Sequence, residues 1–281
     1  MKKIIILFLI CTFSLGDSYA QMSPDYVNLD KFTVLDSAYI KCAYKLTYLR
    51  DSLKPNSPLS DHQMLLIGKM VSKYYSQQKI DHNESVKKED ERQASYTNFP
   101  DGVWSVELFK NHPQGKVTIC DIGSALHGNF VYEEALPAFD WTMDNEKQTI
   151  LSYNCRKATT SFRGRNYIAW FAPDIPIPNG PWQFGGLPGL ILKLYDSNKN
   201  FVFECTGIEN LINKKEPINY YLVEYAKLSR KKYRQIEKRY HDNCIEYEKL
   251  HGVQMIILVD PTGKRSQPTS LKLPYNPIEL E

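Results

Sequence analysis

The sequence lacks the short motifs that mark common catalytic and cofactor sites. It contains no GxSxG elbow, no HExxH pair, no Walker loop and no Rossmann glycine fingerprint. Its 6 histidines are scattered singly, and no two have the spacing of zinc ligands on one helix face. The sequence therefore predicts no metal ion and no cofactor, and it identifies no catalytic residue.

The chain also has little net charge and few long apolar runs. A formal net charge of +3 is too small to indicate nucleic-acid binding. The apolar run 4–14 is shorter than the about 18 residues that a membrane span needs, and no other stretch comes near that length. Lys2 and Lys3 precede this run, and the small residues Ser18 and Ala20 follow it, as in a secretory signal. We expect residues 1–20 to be removed, leaving an exported protein, in the periplasm or at the outer membrane, with no transmembrane segment.

Cysteine is infrequent and widely spaced. After signal removal no two cysteines lie closer than Cys120 and Cys155, so a CxxC redox or zinc site is excluded. Export permits disulfides, but the odd number leaves at least one thiol unpaired. Cys205 alternates with Phe201 and Phe203, which suits a buried thiol and a bridge equally well, and Cys155 with Cys205 is a candidate disulfide pair. The five mature cysteines are Cys42, Cys120, Cys155, Cys205 and Cys244.

Composition indicates a globular protein with a substantial core. Hydrophobic residues make up 42% of the chain and aromatic residues 12%. About 260 residues would remain after signal removal, enough for one large domain. No linker or repeat divides them, so we expect a single domain over 21–281, with irregular ends at 21–36 and 262–281.

Alternation of apolar and polar residues with a period of two predicts a largely β structure. The segment 80–95 is charged and indicates a solvated helix or loop. A turn is expected at 144–147, and a hairpin turn at Arg163-Gly164-Arg165. The predicted strands are 39–50, one or two around Gly68 within 64–75, 103–109, 116–121, 129–134, 148–153, 154–162, 166–171, 190–195 and 201–206, with a further one at 253–259. The fold class is thus α+β, predominantly β.

The period changes to that of a helix only near the C-terminus. Leu222, Ala226, Tyr233, Ile236 and Tyr240 recur at helical spacing, and basic residues surround them. This pattern predicts one amphipathic basic helix that packs on the sheet. Its basic face is either solvated or in contact with an anionic membrane surface.

The segment from Ala172 to Gly189 is half glycine and proline, and its other residues are mostly large and apolar. A solvated linker would be polar, and a strand or helix would exclude this much proline. We therefore expect this segment, which we call the Pro/Gly loop, to have special backbone geometry and to pack against the protein, with Leu187, Leu190 and Ile191 in the core.

Arginines and aromatic residues near this loop are the candidate ligand contacts. Two guanidinium groups at a hairpin tip could bind a carboxylate or phosphate, or they could be structural, for example by pairing with Asp174. The aromatic rings either bind peptides, sugars or lipid chains, or close one end of the sheet. The candidate ligand-binding residues are Arg163, Arg165, Trp170, Asp174, Trp182 and Phe184.

A series of short motifs resembles the GLPGLI family of exported Bacteroidetes proteins. The motifs are Tyr153-x-Cys155-x-Lys157-Ala158, Phe162-x-Gly164-Arg165, Ala169-Trp170, Asp174-Ile175-Pro176, Gly180-Pro181-Trp182 and Gly186-Leu187-Pro188-Gly189-Leu190-Ile191. The resemblance implies a periplasmic or surface-associated protein and a large, curved antiparallel sheet, similar to a half-barrel, with one helix layer. It implies no reaction.

In the context of that family, Asp36-Ser37-Ala38 and Asp51-Ser52-Leu53 look like O-glycosylation acceptor patterns, with Ser37 and Ser52 as the acceptors. The function expected from the sequence is non-enzymatic binding of an apolar or peptide-like ligand, or of an envelope protein partner. The alternative is a hydrolase without a recognisable motif.

Overall fold

The computed structural model describes residues 10–12, 29–91, 101–252, 257–259 and 265–281. Within these residues the fold is mostly β, as the sequence predicts. Most of the described strands belong to one large sheet of 13 strands.

The strands of the large sheet are β2 (Phe32–Tyr48), β3 (Leu59–Gly68), β4 (Ser72–Ser76), β5 (Val106–Lys110), β6 (Lys116–Ser124), β7 (Gly128–Ala135), β8 (Thr142–Ile150), β9 (Tyr153–Phe162), β10 (Arg165–Ala172), β11 (Leu190–Asp196), β12 (Phe201–Asn210), β13 (Glu216–Tyr221) and β14 (Ala226–Lys227). The order in the large sheet is β14-β7-β6-β5-β4-β3-β2-β12-β11-β10-β9-β8, and β13 pairs with β2 beside this path. All its pairs are antiparallel except β14 with β7. A small sheet contains β1 (Ile10–Thr12), β15 (Ile257–Val259) and β16 (Arg265–Ser266). The helices are α1 (Gln77–Glu91), α2 (Arg230–Asp242) and α3 (Cys244–Leu250). The predicted signal segment lies outside the described residues except for β1.

The long strand β2 joins the two halves of the sheet. Its C-terminal half pairs with β12 from Ile40 to Tyr48, and its N-terminal part pairs with β13 from Phe32 to Ala38. The strand therefore begins at Phe32, and the prediction of an irregular segment through residue 36 is wrong. The pairing partner that orders this part, β13, gave no clear strand pattern in the sequence.

Two hairpin turns show where sequence patterns succeed and fail. The predicted hairpin across Arg163 and Gly164 is present, and both residues have positive φ. The predicted turn at 144–147 is wrong, because β8 runs through it with a shift of register between Met143 and Lys147. The chain reverses instead at Leu151 and Ser152, two residues with positive φ but without the glycine or asparagine that usually marks such a turn.

The basic amphipathic helix is present but shorter than predicted. Ser229 caps α2 by accepting a hydrogen bond from the backbone N–H of Lys232, so the helix begins after Leu222 and Ala226. Ala226 lies in the short strand β14. The side chains of Tyr233 and Tyr240 are buried. A second short helix, α3, follows and was not predicted.

The sheet carries a hydrophobic core on each face. The larger core contains Tyr44, Leu108 and Phe203 from the strands and Tyr233 and Tyr240 from α2. We call this side of the sheet the α2 face. The smaller core, with Leu66, Phe109 and Ile218, lies on the other side and includes residues of β13. The Pro/Gly loop, α2, α3 and the C-terminal segment all contribute residues to the core on the α2 face.

Candidate functional site

A pocket with a volume of about 280 Å³ lies on the α2 face. We call it the α2 pocket. Strand residues such as Val106, Asp121 and Tyr132 line it together with residues of α2 and α3. The C-terminal segment 271–279 supplies much of the remaining wall, from Leu271 to Glu279. The pocket thus lies between the sheet, two helices and an extended segment.

One wall of the α2 pocket is aromatic. The indole rings of Trp104 and Trp182 stack with centroids 5.1 Å apart and planes 16° apart. Tyr48 and Phe201 stack in turn, with centroids 6.1 Å apart, and Trp104 lies beside both of them. Trp182 is 4% exposed, and its Nε1–H has no hydrogen-bond partner among the described residues. This wall offers flat apolar surface and one buried donor.

Lys110 holds the loop that carries Trp182. The Lys110 ammonium is buried and donates hydrogen bonds to Asn179 Oδ1 at 2.8 Å, to the Gly180 carbonyl at 2.8 Å and to the Phe184 carbonyl at 2.6 Å. These three acceptors match the three N–H bonds of an ammonium group. On the loop's other side, the Trp141 indole donates to the Gly185 carbonyl at 2.9 Å. The loop is fixed by polar contacts as well as by its prolines.

Asp61 positions the facing ring, Trp104. Its carboxylate accepts from the Trp104 backbone N–H at 2.9 Å and from the Ser76 hydroxyl at 2.9 Å, and also from the Gln63 amide. Burial raises the pKa of Asp61 to about 6, although these hydrogen bonds act in the opposite direction. This buried contact links the backbone of Trp104 to β3.

Two buried carboxylates line the α2 pocket. Asp121, on β6, accepts a hydrogen bond from the Tyr233 hydroxyl at 2.9 Å through Oδ2. Glu248, on α3, contacts His127 Nε2 through Oε2 at 2.5 Å. Both residues are 2% exposed. The other oxygen of each, Asp121 Oδ1 and Glu248 Oε1, has no hydrogen-bond partner among the described residues.

A third carboxyl group in the α2 pocket, that of Glu237, has a raised pKa. Burial raises the pKa of Glu237 to about 8, and the negative charges of Asp121 and Glu279 add to this. Arg234 and a hydrogen bond with Tyr275 act against the shift. Glu237 lines the same pocket as Asp121 and Glu248.

Imidazole and thiol groups lie near these carboxylates. His241 and Cys244 line the α2 pocket. Burial lowers the pKa of His241, whose Nδ1 lies 2.8 Å from the Glu237 carbonyl oxygen. His127 also stacks on His251 at 5.1 Å. Within the described ranges, no three His, Cys, Asp or Glu side chains are grouped as a metal site would require.

Both predicted arginines bind groups of the protein itself. Arg165 donates to Asp196 Oδ2 at 3.2 Å and to the carbonyls of Ile278 and Pro277 at 3.1 and 2.6 Å. Arg163 forms ion pairs with Glu134 and Glu279, each at 2.6 Å. These contacts support the structural alternative: the two guanidinium groups hold the C-terminal segment that forms a wall of the α2 pocket.

Of the six candidate ligand contacts, Trp182 is the one that lines the α2 pocket. Trp170 is buried and contributes to the core on the α2 face. Phe184 is fully buried, with its ring 4.5 Å from that of Tyr167 and 5.0 Å from that of Phe139. Asp174 is exposed and lies outside the pocket. The structure therefore does not bring these six residues together as one site.

The Pro/Gly loop is packed onto the sheet. Leu187, Leu190 and Ile191 are at most 1% exposed. Gly189 approaches the Ala172 carbonyl so closely that a Cβ at this position would lie 2.2 Å from the oxygen. Of the remaining motif residues, Gly180 and Pro181 are buried, and Gly186 and Pro188 are exposed.

The predicted disulfide is absent. Cys155 on β9 and Cys205 on β12 are both free and buried, and β10 and β11 lie between their strands in the sheet. Disulfide geometry needs Cα atoms within about 7 Å, which two intervening strands prevent. Burial raises the pKa of Cys155 to about 11 and that of Cys205 to about 12, so both remain thiols at neutral pH. The other described cysteines, Cys42, Cys120 and Cys244, are also buried and free of disulfides.

The two candidate glycosylation sites are both exposed. Ser37 lies in β2 beside β13, and its backbone N–H donates to Asp36. Ser52 lies in the turn after β2. Among the described helices, none has the length and apolar character needed to cross a bilayer.

Sequence reasoning missed the polar residues of the α2 pocket. Asp121 ends a predicted strand, and Glu248 lies in an unpredicted helix. Glu237 is the one acidic residue in the strongly basic stretch from 227 to 239. This isolated acidic residue was the feature of the sequence that could have marked it as a candidate site residue. Trp104 begins a predicted strand, but its stacking on Trp182 depends on tertiary structure.

The comparisons with known proteins give a short match to one family model. Residues 162–193, which include the whole Pro/Gly loop, match the model of the Porph_ging family, described as a protein of unknown function. No curated protein matches the chain.

Among solved structures, two crystal forms of PNGF-II are similar to the chain. The P21 form is 15% identical, with a TM-score of 0.46, and the match covers 72% of this chain and 33% of that one. The C2 form is 16% identical, with a TM-score of 0.45, and the match covers 78% and 34%. The chain thus spans about a third of the length of PNGF-II, and we draw nothing about its activity from this similarity.

Proposed function

We propose that the chain is an exported, non-enzymatic binding protein of the GLPGLI family that holds an apolar or peptide-like ligand in the α2 pocket. The observation that supports this most strongly is the stacked pair Trp104 and Trp182 in the wall of a cavity of about 280 Å³. Rigid aromatic surface binds such ligands with little loss of conformational entropy. A sheet face filled with side chains near Trp182 would have opposed this proposal.

The rigidity of the aromatic wall supports binding further. Lys110 fixes the Trp182 loop, and Asp61 fixes the backbone of Trp104. Both rings are thus held before a ligand arrives, as in pockets that are largely formed in the free protein.

The test is binding to the full exported chain, measured by indole fluorescence and native mass spectrometry after purification from the native host. A co-purified apolar or peptide-like molecule, lost on Trp182→Ala, is the expected result. The matched control is Trp170→Ala, which removes an indole from the same core outside the pocket. A protein that carries nothing and whose indole emission responds to no apolar or peptide probe would contradict the proposal.

A hydrolase is the second candidate, because acid–base groups lie in the α2 pocket and, in the case of His127, next to it. His127 Nε2 lies 2.5 Å from Glu248 Oε2, within proton-transfer distance. Glu237 and Asp121 line the same cavity. Turnover of a glycoside, ester or peptide library that is lost on Glu237→Gln, with ligand binding retained, would favour the hydrolase over the binding protein.

Export and glycosylation need their own measurements. N-terminal sequencing of the protein from its host should begin at Gln21, in the periplasmic or outer-membrane fraction. The intact mass should exceed that of the polypeptide by glycan masses that disappear in Ser37→Ala and Ser52→Ala. A mass equal to that of the polypeptide alone would rule out the glycosylation.

A further inference from the structure

Two residues that line the α2 pocket each carry a buried acceptor that no described group of the protein uses. Asp121 Oδ1 and Glu248 Oε1 lack hydrogen-bond partners among the described residues, although both side chains are 2% exposed. The second oxygen of each carboxylate is held, by Tyr233 and His127 respectively. Leaving a buried charged acceptor unpaired costs on the order of 1–3 kcal/mol. A ligand that brings donors to these two oxygens would recover this cost.

The basic side chains of the α2 pocket have other partners. Arg50 pairs with Asp101, and Arg234 lies 3.5 Å from the Tyr275 hydroxyl. Glu279, the remaining pocket carboxylate, is neutralised by Arg163 at 2.6 Å and Arg230 at 2.8 Å. In the described part of the chain, no lysine or arginine forms an ion pair with Asp121 or Glu248.

The charges of both carboxylates act on Tyr247, which lies next to the pocket lining. Burial and the negative charges of Glu248 and Asp121 raise the pKa of Tyr247 to about 12, and the positive charge of Arg239 acts against this shift. The Tyr247 hydroxyl donates to the Leu126 carbonyl at 2.8 Å, and Leu126 lines the α2 pocket. The negative potential of both carboxylates therefore extends into this side of the cavity.

The aromatic wall suits the same kind of ligand. Indole faces attract ammonium and guanidinium groups as well as apolar groups. The unpartnered Trp182 Nε1–H would find an acceptor in a peptide carbonyl. A ligand that satisfies these groups must therefore supply hydrogen-bond donors to Asp121 and Glu248 and one acceptor to the Trp182 indole.

We infer that the α2 pocket binds a cationic, partly apolar ligand, such as a peptide segment with a lysine or arginine side chain. The ammonium or guanidinium group lies on the side of the pocket that Asp121 and Glu248 line, and the apolar part packs on Trp104 and Trp182. This inference rests on the proposed binding function and specifies the ligand's charge.

Three small probes of similar size separate charge from apolar contact: phenethylamine, 2-phenylethanol and 3-phenylpropionate. Titration calorimetry with the full chain at pH 7 should show the amine binding at least tenfold more tightly than the alcohol, and the carboxylate most weakly. A dipeptide amide, Phe-Lys-NH₂, should bind more tightly than Phe-Gln-NH₂ by a similar factor.

Asp121→Asn and Glu248→Gln should each weaken the amine by fivefold or more and leave the alcohol unchanged. Glu133→Gln, which changes an exposed carboxylate, is the matched control and should leave all three affinities unchanged. If Asp121→Asn does not fold, the ranking of the probes on the wild-type protein decides the question alone.

The outcomes separate the two proposals. Equal binding of the amine and the alcohol, both lost on Trp182→Ala, would leave the binding function standing and overturn the preference for a cation. Absence of binding by every probe would overturn both.

Discussion

The Lys110 ammonium donates a hydrogen bond of 2.6 Å to the backbone carbonyl of Phe184, across more than seventy residues of chain. Lys110 ends β5, and Phe184 lies in the Pro/Gly loop, where its ring is fully buried. Burial lowers the pKa of Lys110, and no carboxylate is paired with it in the described structure. The loop is therefore held by a buried cation whose partners are a side-chain amide and two backbone carbonyls.

Lys110→Met should destabilise the protein by about 2–4 kcal/mol. The change leaves the acceptors at Asn179, Gly180 and Phe184 buried without a donor, and each such group costs about 1–3 kcal/mol, partly offset by removal of a buried charge. Urea unfolding measures the loss, and a red shift of indole emission should report exposure of Trp182. Lys116→Met, which removes an exposed ion pair with Glu133, is the control and should change stability by less than about 1 kcal/mol. Equal effects of the two substitutions would contradict the proposed role of Lys110.

Gly189→Ala should destabilise the protein by at least about 3 kcal/mol. A Cβ at this position would lie 2.2 Å from the Ala172 carbonyl oxygen and 2.7 Å from its carbon, and both are backbone atoms that cannot move aside without distorting β10. Gly207→Ala is the matched control, because a Cβ there meets nothing within 4 Å. Thermal unfolding of the two variants tests the difference. A Gly189→Ala protein as stable as Gly207→Ala would mean that the loop does not approach β10 as closely as described.

Arg165→Lys should loosen the C-terminal wall of the α2 pocket while the sheet stays folded. The guanidinium binds Asp196 and the segment around Asn276, Pro277 and Ile278, and an ammonium cannot reproduce this planar fork. Hydrogen exchange should accelerate in residues 271–279, with a stability loss of about 1–3 kcal/mol. Arg156→Lys makes the same chemical change at an exposed position of β9 and should leave exchange unchanged. Unchanged protection in the Arg165 variant would show that other contacts hold the segment.

Local patterns predicted the strands well, because each strand alternates over its own residues. The hairpin from Leu190 to Phe201 and the turn at Gly164 were readable for that reason. The α2 pocket was not, because its aromatic wall joins Trp104 to Trp182 and its carboxylates come from β6 and from α3. Arg163 and Arg165 show the same limit. A guanidinium group at a hairpin tip can bind a ligand or a distant segment of the chain, and only the position of residues 276–279 in the structure distinguishes these two roles.

Glu237→Gln should change how stability depends on pH. The pKa of Glu237 is raised from 4.5 in the unfolded chain to about 8 in the folded protein, chiefly by burial. Between these values the folded state keeps a proton that the unfolded state loses, so the stabilisation present below pH 4.5 is lost as pH rises to about 8. The glutamine variant has an amide that can still form hydrogen bonds but cannot ionise, so it does not lose this stability as the pH rises.

Urea unfolding of both proteins between pH 5 and pH 9 tests this. The variant should gain on the wild type with rising pH, by on the order of 2 kcal/mol at pH 8 after allowance for solvent in the pocket. Asp61, whose pKa is also raised, is common to both proteins, so its contribution cancels. Glu224→Gln, at an exposed position, should follow the wild-type curve. Parallel curves for wild type and Glu237→Gln would show that Glu237 is ionised in the folded protein, and Glu237 could then not donate a proton to a ligand in the α2 pocket at neutral pH.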